Sequence, residues 1–455
     1  MNAFWPEIIK ILAFLGDIGL FYLSLLLTLL IRYQTSFDQY VWQLHWPAFT
    51  GLLIFWLIIF YSFSLYDLTL IKRAMEFYNN YFKASVLNVA IGIIYFYVIS
   101  HAAEISPKTN LAIMIVIFSA FYFLWHRSLA KLSGNQKFLQ NLLFIGYHPL
   151  IEDLLPKSTS ATRFGFNFKG IADDQNQLNP YLKLKKYNFL ELPEIIKKEK
   201  IDLLVFTEPI NQETTQLLFK IIPLRISFMS LNNFYEAMTN KIPLSNISQA
   251  WFLENFSEGR KRVFELLKRL IDFVFSILLA IISLPLIPLI ALLIAVDSRG
   301  NVFFAQIRVG KDGKKFRAIK FRSMYKNAES NGAMWAKEND PRITKIGNFL
   351  RKTRLDEIPQ LWNILRGEMS FVGPRPERPE FIEKLEIDVP FYKERLLVKP
   401  GLTGWAQINY PYADSIESSL KKLQYDLYYI KKRSIFLDLS IILKTINIIF
   451  KHGGR

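Results

Sequence analysis

The sequence contains no cysteine and only five histidines among 455 residues. The absence of cysteine excludes disulfide bonds and thiolate metal sites. A metal site in this chain must therefore be built mainly from oxygen atoms, and such a site suits Mg²⁺ better than a softer metal. Acidic residues are also few, with 39 Asp and Glu against 56 Lys and Arg. The formal charge of +17 indicates an acidic partner: nucleic acid, anionic lipid or a phosphorylated substrate.

Hydrophobic residues make up 51% of the chain, which is high for a soluble protein and indicates membrane segments. Apolar runs that approach the ~20 residues needed to cross a bilayer occupy residues 8–31, 49–63, 84–99 and 111–125. They predict a four-helix transmembrane bundle over residues 1–132. Four buried helices of a soluble core are the alternative. Lipid and phosphate partners are thereby favoured over nucleic acid.

Cations near the ends of these runs predict how the bundle is oriented. Lys72 and Arg73 follow the second run, and Arg127, Lys131 and Lys137 follow the fourth. The other connections contain fewer cations. Since cytoplasmic loops are rich in Lys and Arg, both ends of the bundle are expected in the cytoplasm.

Residues 138–245 alternate between strand-like and helix-like segments. "NLLFIGY", "FKGIAD", "IDLLVFT" and "RISFMSL" are typical of buried strands, which predicts a Rossmann-like α/β domain with a parallel sheet. The turn after the first strand has Gly146 as its only glycine, and Pro149 has no backbone N–H to donate. We therefore predict a degenerate nucleotide-binding turn and a structural or regulatory domain.

From residue 260 a basic stretch leads into a long apolar run that Pro285 and Pro288 interrupt. A proline inside a helix removes a hydrogen bond and clashes with the preceding turn. Both flanks of the run are basic, so both ends are expected in the cytoplasm. We predict a re-entrant membrane helix over about residues 265–296, broken at Pro285. The alternative is a fifth spanning helix with a kink.

The stretch "RKTRLDEIPQLWNILRG" places Asp356 beside Glu357, and two adjacent carboxylates repel each other. Pro359 is tolerated in a first helical turn, so a helix is expected from near Asp356 to Gly367. A helix N-terminus attracts anions, and Arg351 and Arg354 add positive charge, which together should hold Asp356 ionised as a nucleophile. Glu357, with Asp356, can hold a divalent cation. For an isolated acidic pair, helix capping is the simpler explanation.

Several cations accompany this acidic pair in the same part of the chain. Each alone is typical of a solvated surface, but together they predict a phosphoryl-transfer site. The candidate phosphate contacts are Arg308, Lys320, Arg322, Arg342, Arg351 and Arg375.

The chain resembles the polyprenyl-phosphate hexose-1-phosphate transferases, the large monotopic phosphoglycosyl transferases of bacteria. The resemblance is carried by "VFFAQIRVGKDGKKF", "IKFRSM", "DPRITKIGNFLRKTRLDEIPQLWNILRGEMSFVGPRP" and "VKPGLTGWAQIN". It implies Asp356 as nucleophile, Glu357 as Mg²⁺ ligand and Lys320, Arg351 and Arg375 as phosphate contacts. It also implies a mainly α monotopic catalytic domain over residues 256–455. After "GWAQIN" the chain reads "YPYADSIE" where many relatives have a Gly-Arg pair, so the sugar is left open.

The resemblance also implies the reaction. A sugar 1-phosphate, with glucose or galactose as the expected hexose, moves from a UDP-sugar to undecaprenyl phosphate through a covalent Asp-phosphosugar, and UMP is released. This would be the first step of exopolysaccharide, O-antigen or capsule assembly at the bacterial inner membrane, with the catalytic domain on the cytoplasmic face. The expected partners are both substrates and membrane lipid, with homodimerisation left open and no nucleic acid. Two alternatives are a membrane-bound nucleotide-sugar dehydratase or epimerase, and a non-catalytic scaffold for polysaccharide assembly.

Overall fold

The computed structural model describes residues 5–66, 74–99, 107–133, 140–155, 162–163, 166–173, 184–207, 212–256, 261–326, 328, 340–410 and 415–452. The chain divides into two compact units, Met1–Phe234 and Tyr235–Arg455. Lys72, Arg73 and Lys137, on which the predicted orientation depends, lie outside the described residues.

The first unit begins with helices that contain the four predicted apolar runs. They are α1 (Trp5–Tyr33), α2 (Gln39–Ser62), α3 (Ala74–Ile99) and α4 (Pro107–Ser133). In the described part of the chain, α1, α2 and α4 are long and apolar enough to cross a membrane, and α3 does not meet that test. The prediction of several membrane helices near the start of the chain is thus confirmed. The prediction that four of them span the membrane is not confirmed, because only three pass the test in the described part of this region.

Aromatic side chains dominate the core of this helical region. Phe21 packs edge-on against Trp56, and Phe60 stacks on Phe118. Such rings bury large apolar areas and prefer offset or edge-to-face contacts.

The same unit contains a six-stranded sheet. Its elements are β1 (Gln140–Ile145), α5 (Leu150–Leu154), β2 (Thr162–Arg163), β3 (Phe166–Ala172), β4 (Lys185–Tyr187), α6 (Leu192–Lys198), β5 (Leu203–Phe206), α7 (Gln212–Ile221) and β6 (Ser227–Ser230). The strand order is β2-β3-β1-β5-β6, with β4 also on β3, and every pairing except β2–β3 is parallel. The predicted parallel α/β sheet is confirmed. Gly146 follows β1 at a φ of +76°, and a Cβ there would meet the Thr207 hydroxyl, so the turn requires glycine.

Helix α8 (Leu231–Thr239) crosses into the second unit. The other elements of that unit are α9 (Gln249–Asn255), α10 (Arg262–Ser283), α11 (Leu286–Asp297), β7 (Phe303–Val309), β8 (Lys315–Phe321), α12 (Lys345–Thr353), α13 (Leu361–Arg366), β9 (Ser370–Val372), α14 (Pro379–Asp388), β10 (Gly401–Thr403), α15 (Trp405–Asn409), α16 (Ile416–Lys432) and α17 (Ile435–His452). Strands β7 and β8 form an antiparallel hairpin, and β9 pairs with β10 in parallel.

The predicted break at Pro285 lies between α10 and α11, which meet at a bend of 62°. Both helices expose large apolar side chains, for example Ile281 and Leu292. Together they pass the length and hydropathy test for a membrane segment, either as one broken span or as a re-entrant loop.

The core of the second unit includes residues that precede the predicted catalytic domain. Ile242 and Leu244, which the sequence analysis assigned to the middle domain, are buried in this core. The Ile242 amide also donates to the carbonyl of Gln424. Helix α17 buries Ile441 there and exposes Phe436, so one of its faces packs on the core.

Candidate active site

The acidic pair begins a short 3₁₀ helix, Leu355–Gln360, that leads directly into α13. Arg354 caps the C-terminal end of helix α12, has a left-handed φ of 58° and turns the chain into this segment. The predicted helical span up to Gly367 is correct, but its first part is a 3₁₀ helix and not α-helix. Pro359 lies inside this 3₁₀ helix. Proline has no amide hydrogen, so it would remove a hydrogen bond from a longer α-helix at this position.

The Glu357 carboxylate is buried and faces three cations. Its Oε1 lies 2.8 Å from Lys320 Nζ, 3.4 Å from an Arg375 nitrogen and 3.6 Å from an Arg354 nitrogen. Burial alone would raise the pKa of Glu357, but Lys320, Arg375 and Arg354 outweigh burial and bring the pKa well below its usual range. Glu357 is therefore held as a carboxylate.

Asp356 lies in a different environment although it is adjacent in sequence. Its Oδ1 is buried and has no hydrogen-bond partner within the described residues. Burial and then the charge of Glu357 raise its pKa, while Lys320, Arg351 and Arg354 oppose that change. The sequence predicted that surrounding positive charge holds Asp356 ionised. In the structure, burial has a larger effect than the surrounding positive charge and raises the pKa of Asp356. Asp356 is therefore the more easily protonated acid of the pair.

Both acids line one cavity of about 1910 Å³ within the second unit. One side of the cavity is apolar and includes Leu279, Ile282 and Leu286 from α10 and α11. All the predicted phosphate contacts line the same cavity: Arg308, Lys320, Arg322, Arg342, Arg351 and Arg375. The structure thus brings every predicted polar site residue to one space, next to the candidate membrane helices. Pro285 is not among the lining residues.

The predicted cations differ in what they contact. Lys320 and Arg375 face Glu357, as described above. Burial lowers the pKa of Lys320, against the opposing attraction of Glu357. Arg351 donates to the Ser323 hydroxyl at 2.8 Å, and its guanidinium acts on Asp356 electrostatically.

The other three guanidiniums bind protein oxygens. Arg342 forms a fork with Asp340, at 2.8 and 2.6 Å. Arg322 donates to the backbone carbonyl of Ser298 at 2.5 Å. Arg308 donates to the Pro376 carbonyl at 3.0 Å. Their side chains shape the cavity wall through these contacts.

The structure adds contacts and residues to those predicted from the sequence. Arg354 was predicted to add positive charge near Asp356, and its direct contact with Glu357 depends on the left-handed turn. Arg395 and Lys422 also line the cavity. They belong to segments far from the motif along the chain, so no local pattern pointed to them.

The donor set for a metal ion is small. The described residues contain no group of three or more His, Asp or Glu side chains that could hold a metal. Two neighbouring carboxylates nevertheless match the way Mg²⁺ is held in phosphate-transferring sites, by one or two carboxylates plus substrate phosphates and water. The unpartnered Asp356 Oδ1 fits such a role. Glu357 Oε1 already faces cations, so its other oxygen is the better donor.

Comparison with known proteins identifies the family. The sequence model described as "Bacterial sugar transferase" matches residues 263–452. A UDP-glucose:undecaprenyl-phosphate glucose-1-phosphate transferase from Klebsiella pneumoniae is 32% identical over 311 residues, which cover 68% of this chain and 67% of that protein. The chain belongs to the bacterial sugar transferase family.

Other relatives have a higher identity over a shorter length. A UDP-N-acetylgalactosamine-undecaprenyl-phosphate N-acetylgalactosaminephosphotransferase from Aeromonas hydrophila is 43% identical over 42% of this chain and 45% of its own length. A UDP-glucose:undecaprenyl-phosphate glucose-1-phosphate transferase from Escherichia coli is 43% identical over 40% of this chain and 39% of its own. Both matches thus span less than half of the relative.

Proposed function

We propose that this bacterial sugar transferase moves a sugar 1-phosphate from a UDP-sugar to undecaprenyl phosphate and releases UMP. The observation that carries the proposal is the arrangement around the acidic pair. Asp356 has a buried oxygen without a hydrogen-bond partner in the part of the chain that the structure describes, and Glu357 beside it faces Lys320, Arg354 and Arg375. The names of the Klebsiella and Aeromonas relatives support both the acceptor and a UDP-linked donor.

The chemistry would proceed in two displacements at one phosphorus atom. A carboxylate oxygen of Asp356 attacks the phosphorus that carries the sugar, the bond from that phosphorus to the bridging oxygen breaks, and UMP leaves. A phosphate oxygen of undecaprenyl phosphate then attacks the same phosphorus. The bond to Asp356 breaks, the carboxylate is restored, and the product is an undecaprenyl diphosphate sugar.

The cations stabilise charge during both steps. Lys320 and Arg375 lie close enough to the acidic pair to meet the phosphate oxygens of a bound donor. Cations fixed in place beside developing negative charge lower the activation barrier, because they need not reorganise during the reaction. Arg351 contributes positive charge beside Asp356. Because these groups are partly withdrawn from water, their attraction for phosphate is stronger than on an open surface.

A magnesium ion would be held by Asp356 and Glu357 together with substrate phosphate oxygens. When bound, it would neutralise phosphate charge and thereby assist departure of UMP. The protein side chains would orient the phosphates and keep the acids in their distinct states.

The bent helix pair explains how the two substrates meet. In the proposed topology, α10 and α11 enter the cytoplasmic leaflet and return at Pro285, as a re-entrant hairpin of the inner membrane. The apolar cavity wall of Leu279, Ile282 and Leu286 then lies at the membrane surface, where the lipid acceptor is. The UDP-sugar arrives from the cytoplasm. The reaction would start the assembly of an exopolysaccharide, O-antigen or capsule.

A UMP-release assay tests the proposal. The purified full-length chain in lipid nanodiscs is incubated with undecaprenyl phosphate, Mg²⁺ and, in turn, UDP-glucose, UDP-galactose and UDP-N-acetylgalactosamine. We expect release with at least one donor. Without acceptor, we expect one UMP per active site and a labelled phosphosugar on Asp356. Asp356→Asn should neither release UMP nor carry the labelled phosphosugar, since an amide is a far poorer nucleophile than a carboxylate.

Three outcomes would contradict the proposal. A phosphosugar trapped on a residue other than Asp356 would refute its role as nucleophile. No UMP from any UDP-sugar would favour the scaffold alternative. NAD bound to the purified chain would favour the dehydratase or epimerase.

A further inference from the structure

The loop of residues 373–378, which carries Arg375, is held by its backbone carbonyls. At one end the Pro374 carbonyl accepts from the Gly401 amide at 2.9 Å. At the other end the Glu377 carbonyl accepts from the Val309 amide at 3.0 Å. These bonds attach the loop to the β9–β10 pair and to the hairpin.

The two carbonyls in the middle of the loop are held by side chains. Arg395 donates to the Arg375 carbonyl at 3.1 Å, and Arg308 donates to the Pro376 carbonyl at 3.0 Å. Four consecutive carbonyls are therefore occupied. Because a carbonyl direction fixes the adjoining peptide plane, the bond from Arg395 restrains the backbone from which the Arg375 side chain leaves.

Arg395 is itself held firmly. Its side chain is only 6% exposed, and it donates to Asp426 Oδ2 at 2.9 Å and to the Tyr392 hydroxyl at 2.6 Å. Asp426 is 2% exposed and belongs to α16. A guanidinium has several donors in one rigid plane, so Arg395 can bind the helix and the loop at the same time.

We infer that Arg395, anchored by Asp426, is a positioning residue that holds the backbone of Arg375 and so directs the Arg375 guanidinium at Glu357. The inference rests on the proposed function, because it assigns Arg395 a part in phosphosugar transfer. Although Arg395 lines the same cavity, the inference predicts that its effect on the reaction passes through Arg375.

Arg395→Lys tests this inference while keeping the buried charge paired. One terminal nitrogen of Arg395 donates both to Asp426 and to the Arg375 carbonyl. The lysine ammonium ends one bond short of that nitrogen, so it can move toward Asp426 and keep the ion pair but then loses the loop carbonyl. We expect kcat to fall by about tenfold to a hundredfold, the range caused by small misplacements of catalytic groups. In an Arg375→Ala background, Arg395→Lys should cause no further loss, since the residue it positions is gone.

The matched control is Arg433→Lys. Arg433 is also buried, pairs with Glu265 at 3.0 Å and donates to the Ile430 carbonyl at 2.9 Å. It does not line the cavity. Arg433→Lys should lower the melting temperature about as much as Arg395→Lys and leave kcat within about twofold of wild type.

Amide hydrogen exchange supplies a readout that needs no turnover. Arg395→Lys should speed exchange at Gly373 and Gly401, whose amides donate to Thr403 and Pro374, while Arg433→Lys should not. If the wild-type chain turns over no UDP-sugar, the proposed function fails, and exchange alone decides whether Arg395 holds the loop. Unchanged exchange in Arg395→Lys, or losses that add to those of Arg375→Ala, would overturn the inference.

Discussion

The Lys320 ammonium lies 2.8 Å from the Glu357 carboxylate, which is 37 residues further along the chain. This ion pair joins β8 to the 3₁₀ helix that contains the acidic pair. It satisfies Glu357 and leaves the Oδ1 of Asp356 without a hydrogen-bond partner among the described residues. The pKa values of the two neighbouring acids therefore shift in opposite directions, upward for Asp356 and downward for Glu357.

The first prediction is that neutralising the two acids shifts stability in opposite directions. Asp356→Asn should raise the melting temperature, because its charge is buried and disfavoured. Glu357→Gln should lower stability by about 1–3 kcal/mol, because Lys320, Arg354 and Arg375 lose their partner. Melting in nanodiscs, followed by intrinsic tryptophan fluorescence, measures both. A fall for Asp356→Asn as large as that for Glu357→Gln would contradict the assignment.

The dependence of stability on pH gives a second test of Glu357. Its folded pKa lies below the ordinary value of 4.5, so its contribution is fully present above about pH 4.5 and is lost as pH falls further. Between about pH 5 and pH 3 the wild-type chain should lose more stability than Glu357→Gln. Parallel melting curves in that range would show that Glu357 does not carry the predicted shift.

The third prediction concerns the proposed magnesium ion. Glu357→Gln should need more Mg²⁺ than wild type to reach its own maximal rate, since an amide oxygen binds Mg²⁺ more weakly than a carboxylate. UMP release is measured across a Mg²⁺ titration, with protein abundance matched. Lys352→Gln is the control, because Lys352 lines the cavity but is not among the cations that face Glu357. An unchanged Mg²⁺ requirement would count against Glu357 as a ligand.

The fourth prediction is that the second unit carries the chemistry without the first. A fragment of residues 231–455 should retain transfer, whereas one of residues 256–455 should be less stable. The shorter fragment lacks Ile242 and Leu244, whose burial contributes roughly 3–6 kcal/mol together. Limited proteolysis and UMP release compare the two. An inert but folded 231–455 fragment would show that the first unit contributes to the site.

The fifth prediction concerns the bend at Pro285. If α10 and α11 form a re-entrant hairpin, cysteines introduced as Glu254→Cys and Asn301→Cys should both react only from the cytoplasmic side. The labelling has no background because the native chain has no cysteine. Replacing Pro285 and Pro288 with leucine should restore helical hydrogen bonds and invert a fraction of the molecules. Labelling of Asn301→Cys from the periplasm in an otherwise unchanged chain would show a spanning helix and refute the topology.

The sequence by itself determined the classes of structure and the chemistry available. Long apolar runs required membrane segments near the start, and alternating strand and helix patterns required a parallel sheet, because both patterns are local consequences of burial. The absence of cysteine excluded thiolate chemistry, and the pairing of Asp356 with Glu357 among nearby cations predicted a site of carboxylates and cations. The break at Pro285 was also visible, since proline removes a helical hydrogen bond wherever it stands.

Only the tertiary structure decided which cations act together and which acid is the easier to protonate. Arg308, Arg322 and Arg342 looked equivalent to Arg375 in the sequence, yet their guanidiniums bind oxygens outside the acidic pair, whereas Arg375 faces Glu357. The pKa values of Asp356 and Glu357 diverge because burial and charge act over distances set by the fold. Contacts between residues far apart in the chain, such as Arg395 with the Arg375 carbonyl, leave no local pattern in the sequence.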